Sequence, residues 1–494
     1  MSDLADLSID ELLTLFRTRE ATPLEALNAC LGRVDRLDDR VNAVITLLVE
    51  RATAQAEEST KRWQSGEARP LEGIPYGLKD IIETAGIRTT GGSPMYENYI
   101  PEESATLVDR LEAAGAVLVG KLQTFEFASG SNATTSNPWD LSRWPAGSSS
   151  GPAAAVAAHE MPLSIGTDTG GSIAIPAAFC GIVGLKATYG RISRAGVFPL
   201  SWTLDHAGPM TRSALDAAHA LGVMAGYDPR DPTCGNVPVP DYAASLRTDL
   251  VGVRVGVPTE WFFDVCAPEV EAATRAAIEL LAEQGATINE FQLPSTRTVQ
   301  LHAIELTIVY SEVASLHEAT LERLDEYGPE FQRLLTRAQF TSAVDYLKAL
   351  RARHLVQLDF EQVFEQNDVV VVPGGMCVAP SHDHLVAKVG DEERPLIDVI
   401  SRPTAVMDIV GLPAITIPAG FDDGLPIGVQ IAARPYDELS CLSVAHAYQR
   451  LTDFHTALPP IVKDDLDAGP SDLSVELPVS IEKPVVTATR DRIW

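Results

Sequence analysis

The sequence predicts an α/β protein in which helices cover a sheet, on three observations. Two capped helix starts lie near the N-terminus, short apolar β-branched runs recur between turn residues, and helical patterns separate those runs. Ser8-Ile9-Asp10-Glu11 and Thr22-Pro23-Leu24-Glu25 each place a hydroxyl three residues before a glutamate, the spacing of a capping box that satisfies the free amides of a first turn. Pro23 suits the first helical position, and Leu24, Leu27, Leu31 and Val34 then recur on one face. The segment 1–65 is therefore expected to be helical. Ala116-Val117-Leu118-Val119-Gly120 and Asp368-Val369-Val370-Val371-Val372-Pro373 are short and apolar, with turn residues after them, and predict buried strands. Glu269 to Gln284, with Pro268 just before it, predicts a helix between them. From about Val299 to Gln366 the pattern predicts a long helical stretch whose Tyr310, Phe340 and Tyr346 are candidates to line a cavity. No internal repeat is apparent.

Composition bounds the class. The chain has 494 residues, 45% hydrophobic and 21% charged, enough apolar material for a large core. With 68 Asp and Glu against 38 Lys and Arg, the net charge is −30, and no run of basic residues offers the phosphate contacts a nucleic-acid face needs. The six cysteines (Cys30, Cys180, Cys234, Cys266, Cys377 and Cys441) are scattered without CxxC pairs and predict reduced, buried thiols. Residues 1–10 carry acidic side chains and no basic n-region, and no uninterrupted run of 18 apolar residues suggests a membrane span. A cytoplasmic protein is the expectation.

Three segments carry candidate chemistry. Gly166-Thr167-Asp168-Thr169-Gly170-Gly171-Ser172 presents a hydroxyl directly after two glycines, which can turn several amides toward one point, as a tetrahedral intermediate requires. Gly147-Ser148-Ser149-Ser150-Gly151 offers a second hydroxyl. Serine needs a base, and no histidine lies in or beside these segments; Lys79, in Gly73-Ile74-Pro75-Tyr76-Gly77-Leu78-Lys79-Asp80, is the remaining candidate if burial lowers its pKa. The competing reading of Lys79 is a surface lysine paired with Asp80.

Together these segments resemble the amidase signature family of serine hydrolases, and the likeness runs from about residue 5 to 460. Pro176-Ala177-Ala178-Phe179-Cys180-Gly181-Ile182-Val183-Gly184-Leu185-Lys186, Leu204-Asp205-His206-Ala207-Gly208-Pro209-Met210, Gly411-Leu412-Pro413-Ala414 and Gly424-Leu425-Pro426-Ile427-Gly428-Val429-Gln430 extend it. The resemblance implies a large mixed β-sheet core covered on both sides by α-helices, forming one domain over 1–460 with a tail, 461–494, of unknown role. It also implies a Ser-Ser-Lys triad: Ser172 as nucleophile, Ser148 as bridging serine in a cis peptide, and Lys79 as base. The backbone amides of Thr169, Gly170, Gly171 and Ser172 would form the oxyanion hole, with Ser149 and Asp168 bracing the loops. No metal or organic cofactor is implied.

Three positions depart from the family pattern. Ala174 stands where the family usually carries arginine, which puts the bracing of the nucleophile loop, or acid recognition, in doubt. Ala146 and Ser150 replace glycines and are small enough to alter packing more than chemistry. Rival readings are weaker. Gly147–Gly151 also satisfies G-x-S-x-G, which would make Ser149 a nucleophile with His446 or His455. His382-Asp383-His384 offers two metal ligands without a third, and Cys180 a thiol without a base.

The function expected first is hydrolysis of a small amide (a primary amide, an anilide or a related compound) through an acyl-enzyme. A carbamate, urethane or ester hydrolase using the same triad is the alternative. An amidotransferase A-type subunit ranks lower on acidity and the unmatched tail, beside a catalytically silent binding protein. The expected partner is a small-molecule amide or carbamate, with a homodimer left open and neither nucleic acid nor membrane.

Overall fold

The computed structural model describes residues 3–130, 134–389, 392–396, 399–468 and 480–485. Both capping boxes form. Ser8 and Thr22 accept from the amides of Glu11 and Glu25, whose carboxylates accept in return from the cap amides, and they open helices Ile9–Thr18 and Pro23–Val41.

Fourteen strands are defined among the described residues: β1 (Val44–Leu47), β2 (Pro75–Lys79), β3 (Val117–Leu122), β4 (Leu163–Asp168), β5 (Val183–Lys186), β6 (His206–Thr211), β7 (Arg254–Pro258), β8 (Thr287–Phe291), β9 (Val369–Pro373), β10 (Val386–Val389), β11 (Glu392–Pro395), β12 (Ala414–Asp422), β13 (Leu425–Ala433) and β14 (Ile481–Glu482). Twelve form one sheet in the order β14-β1-β3-β2-β4-β6-β5-β12-β13-β9-β7-β8, while β10 and β11 form a separate hairpin. The sheet is mixed: β3, β2 and β4 run parallel, as do β8, β7 and β9, and the remaining pairs are antiparallel. Both faces are covered. Along β3, Leu118 enters one apolar core with Tyr76 and Leu78, whereas Val117 and Val119 enter another with Leu27, Leu31 and Val34 of an N-terminal helix.

The stretch from Val299 to Gln366 is not one helix. It divides into Leu301–Leu316, Pro329–Ala338 and Ala343–Gln366, with a 3-10 segment at Glu318–Glu326. Pro329 suits a first turn and keeps any preceding helix from running past Gly328, and Ser342 caps the last helix by accepting from Asp345 N.

Of the tail expected at 461–494, residues 461–468 and 480–485 are described and pack on the same body, and the rest lies outside the described residues. Helix Pro460–Ala468 buries Ile461 and Val462, and Asp465 meets Arg33 and Arg36 at 3.1 and 2.6 Å. Further on, β14 adds an edge strand to β1, and Lys483 donates to Asp38 at 2.6 Å. Among the described residues, no helix is long and apolar enough to cross a membrane. All six cysteines are buried and unbridged.

Candidate active site

The three sequence segments meet at the carboxyl ends of β2 and β4, adjacent parallel strands that finish at the same edge. Lys79 is the last residue of β2 and Asp168 the last of β4; Ser172 follows four residues later, just before helix Ala174–Cys180. Ser148 precedes helix Ser150–Ala157, and its peptide bond with Gly147 is cis. Open sheets characteristically hold their ligands beyond the carboxyl ends of parallel strands.

Lys79 is wholly buried, and its Nζ lies 2.7 Å from both Ser148 Oγ and Thr167 Oγ1. Burial lowers its pKa to about 7, against the opposing pull of the Asp168 and Asp205 carboxylates. The competing pairing with Asp80 does not form. Strand alternation sends Asp80 the other way, to Lys121 Nζ at 3.2 Å and the Thr90 amide at 2.9 Å. An amine near neutrality, touching a hydroxyl in a dry interior, can accept that hydroxyl's proton.

The loop carrying Ser172 is held from several sides. Asp168 accepts the amides of Gly171 and Ser172 on one oxygen (2.5 and 2.7 Å) and those of Ile173 and Ala174 on the other (2.7 and 3.1 Å). Thr404 Oγ1 donates to Gly170 O at 3.2 Å. Gly171 has φ of +114°, and a Cβ there would overlap Thr404 Oγ1, so glycine is required on two counts. Ser149 is buried against Thr167: its Oγ donates to Thr167 O at 3.1 Å and accepts from Thr167 N at 3.2 Å, while its own amide reaches Ser172 O at 3.3 Å.

One expectation changes here. Of the four amides assigned to an oxyanion hole, those of Gly171 and Ser172 point into the Asp168 carboxylate, a charged acceptor that outcompetes any more distant group; Thr169 and Gly170 are the two that Asp168 does not engage. At position 174 the contact with Asp168 is made by the backbone amide and so does not depend on the side chain.

A cavity of about 210 Å³ opens on this loop and is lined by Ser148, Thr169, Gly170, Gly171 and Ser172. Ser172 is half-exposed there, while Ser148 and Lys79 lie behind it. The walls are largely apolar, with Phe125, Trp144, Ile175, Leu200 and Phe331 among them, and His302, Glu305, Glu330, Arg333 and Arg337 also line it. Of the aromatic candidates, Tyr310 lines the cavity; Phe340 is 85% exposed, and Tyr346 donates to Glu312 at 2.8 Å instead.

The rivals dissolve on the same geometry. Ser149 does not line the cavity, nor do His446 and His455. Among the described residues, no group of three His, Cys, Asp or Glu is arranged to hold a metal ion. Cys180 is buried, and desolvation pushes its thiol pKa up.

Several residues escaped the sequence reading. Thr167 shares the lysine, and Asp205, its carboxyl pushed up to about 6 by burial, accepts from Thr169 Oγ1 at 2.7 Å. Glu126, raised to about 7 by burial, accepts from Ser93 Oγ at 2.6 Å and from Gly328 N at 3.0 Å, tying the start of helix Pro329–Ala338 to the cavity wall. Thr167 and Asp205 lie within the motifs themselves, so proximity to the candidates was an available signal; nothing local marked Glu126.

Comparison with known proteins agrees with this architecture. A family model described as Amidase matches residues 25–442. The A-type subunit of glutamyl-tRNA(Gln) amidotransferase from Roseiflexus sp. (strain RS-1) is 42% identical over 494 aligned positions, spanning 91% of this chain and 98% of that protein. Among solved structures, a chain from a vestigial protein complex that reveals the evolutionary origins of an s-triazine catabolic enzyme superposes with a TM-score of 0.86 at 32% identity, covering 90% of this chain and 98% of that one. The A-type subunit of glutamyl-tRNA(Gln) amidotransferase from Thermotoga maritima gives 0.78 at 29% identity, covering 93% and 98%. With the family model spanning most of the chain and these likenesses running nearly end to end, the chain belongs to the amidase signature family.

Proposed function

We propose that this chain cleaves the C–N bond of a carboxamide, with Ser172 as nucleophile and Lys79 and Ser148 as its proton relay. The observation that carries this is the buried amine of Lys79, brought near neutrality and within 2.7 Å of Ser148 Oγ, beside a cavity that Ser172 shares. Neutral Lys79 takes the proton of Ser148, which takes that of Ser172 as Ser172 Oγ bonds to the acyl carbon. The oxyanion meets the amides of Thr169 and Gly170. The relay returns the proton to the departing nitrogen, which leaves as ammonia or an amine, and water then releases the acid from the acyl-enzyme by the same route. Asp168 and Ser149 act as positioning residues for the loop.

Relatives about 40% identical over nearly their whole length are named as A-type subunits of glutamyl-tRNA(Gln) amidotransferase, so the first reading is a subunit that releases ammonia from a glutamine-type carboxamide beside other chains. This reverses the order expected from acidity and the tail, since the likeness spans 91–94% of this chain. The second reading is a stand-alone hydrolase of small apolar amides or carbamates, favoured by the apolar cavity walls. The test is ammonia release from glutamine and from apolar primary amides, for the chain alone and co-expressed with its amidotransferase partner chains. Glutamine cleavage that partners stimulate supports the first reading. Preference for apolar amides without partners supports the second, and activity surviving in Ser172→Ala sinks both.

A further inference from the structure

Helix Leu301–Leu316 turns one carboxylate toward the loop that carries Ser172. Glu305 is a buried residue that lines the same cavity as Ser148 and Ser172, and it lies so close to Gly170 that a Cβ at that position would overlap its Oε1. His302 Nδ1 meets its other oxygen at 3.4 Å, a long contact. The neighbouring walls formed by Phe125, Ile175 and Leu200 carry no donor, whereas the Trp144 indole, Arg333 and Arg337 are donors that line other parts of the same cavity. Desolvation raises the Glu305 pKa, His302 lowers it, and the Asp168 charge adds to the rise. Glu305 therefore borders the cavity with acceptor capacity beyond its His302 contact, and a ligand in the cavity can bring a donor to it.

The loop also orients the ligand. A carbonyl oxygen is repelled by a carboxylate but matches the Thr169 and Gly170 amides, which Asp168 does not engage. Of the two remaining substituents of an acyl carbon whose oxygen lies on those amides, only the scissile nitrogen of a carboxamide brings an N–H that a carboxylate beside Gly170 can accept. We infer that Glu305 is a specificity-determining residue that accepts a hydrogen bond from the N–H of the scissile amide, so that the site favours carboxamides over esters of the same acyl group. This rests on the acyl-transfer role proposed for Ser172.

The test compares full-length wild type, Glu305→Gln and Glu305→Ala on benzamide and methyl benzoate, whose shared acyl group has no ionisable or N–H donor of its own. Turnover is read as kcat/KM, and binding as protection of Ser172 from a fluorophosphonate label. For benzamide, Glu305→Ala should lose about 10- to 100-fold in kcat/KM or protection, and Glu305→Gln less, because its amide oxygen still accepts. Methyl benzoate should change by less than about 3-fold, within the scatter of a contact not made. Parallel losses on amide and ester, or no loss on either, with labelling intact, would overturn the inference and leave Glu305 as packing for the Gly170 loop. Failure of wild-type Ser172 to label at all would instead overturn the acyl-transfer role, and this inference with it.

Discussion

An ordinary lysine, with a pKa of 10.5, is neutral at pH 7 in about one molecule in 3,000; Lys79, lowered to about 7 by burial, is neutral in about half. Burial thus enlarges the proton-accepting population roughly a thousandfold. The free-enzyme rate kcat/KM should therefore rise about tenfold per pH unit up to about 7 and level off above it. Glu126 and Asp205 titrate nearby, at about 7 and about 6, so Glu126→Gln and Asp205→Asn serve as controls and should keep the limb. Lys79→Met should lose about 10²- to 10⁴-fold in rate. It should not lose stability at neutral pH for electrostatic reasons. Because the folded pKa is depressed, the unfolded chain binds the proton more tightly between about 7 and 10.5, and stability rises through that window by about 1.4 kcal/mol per pH unit. Below about 7 the full cost of burying Lys79 is present, and methionine removes it. The assays are stopped-time product release from pH 5 to 9 and thermal unfolding of the same samples. A limb centred near 4.5, a limb abolished by Glu126→Gln, or an active Lys79→Met would refute this reasoning.

Asp168→Asn should lower the melting temperature and cut activity at least a hundredfold, since asparagine presents only one acceptor to four amides; wild-type values in both assays would show that the brace is dispensable. A fluorophosphonate should label Ser172 in wild type and not in Ser172→Ala, while Ser149→Ala keeps labelling but loses about 1–3 kcal/mol of stability through Thr167, as peptide mapping and denaturant unfolding would report. Glu126, with its folded pKa raised from 4.5 to about 7, binds its proton more tightly in the folded chain. It therefore contributes a stability that is lost as pH rises through that window, and unfolding midpoints taken from pH 4 to 8 should vary less in Glu126→Gln than in wild type.

Much of this was legible locally. Capping boxes, helical spacing and β-branched runs act over a few residues, so both N-terminal helices, β3 and β9 could be placed from their own side chains. The long stretch expected to be helical is so over most of its length, and Pro329 and the Ser342 cap are the boundary signals that divide it. Lys79, Ser148 and Ser172 were legible as motifs, and their convergence required only that β2 and β4 be neighbours.

The residue types, the glycine run and the absence of a histidine beside it follow from chain order alone and could be read without any fold. Folding is what makes Lys79 dry, turns Asp80 instead to Lys121, gives Asp168 two of the amides expected to face an oxyanion, and sets Glu305, 133 positions beyond Ser172, against Gly170. The physical reason is that pKa, hydrogen-bond partner and cavity wall are set by atoms a few ångströms away in space, supplied here by strands and helices far apart in the chain.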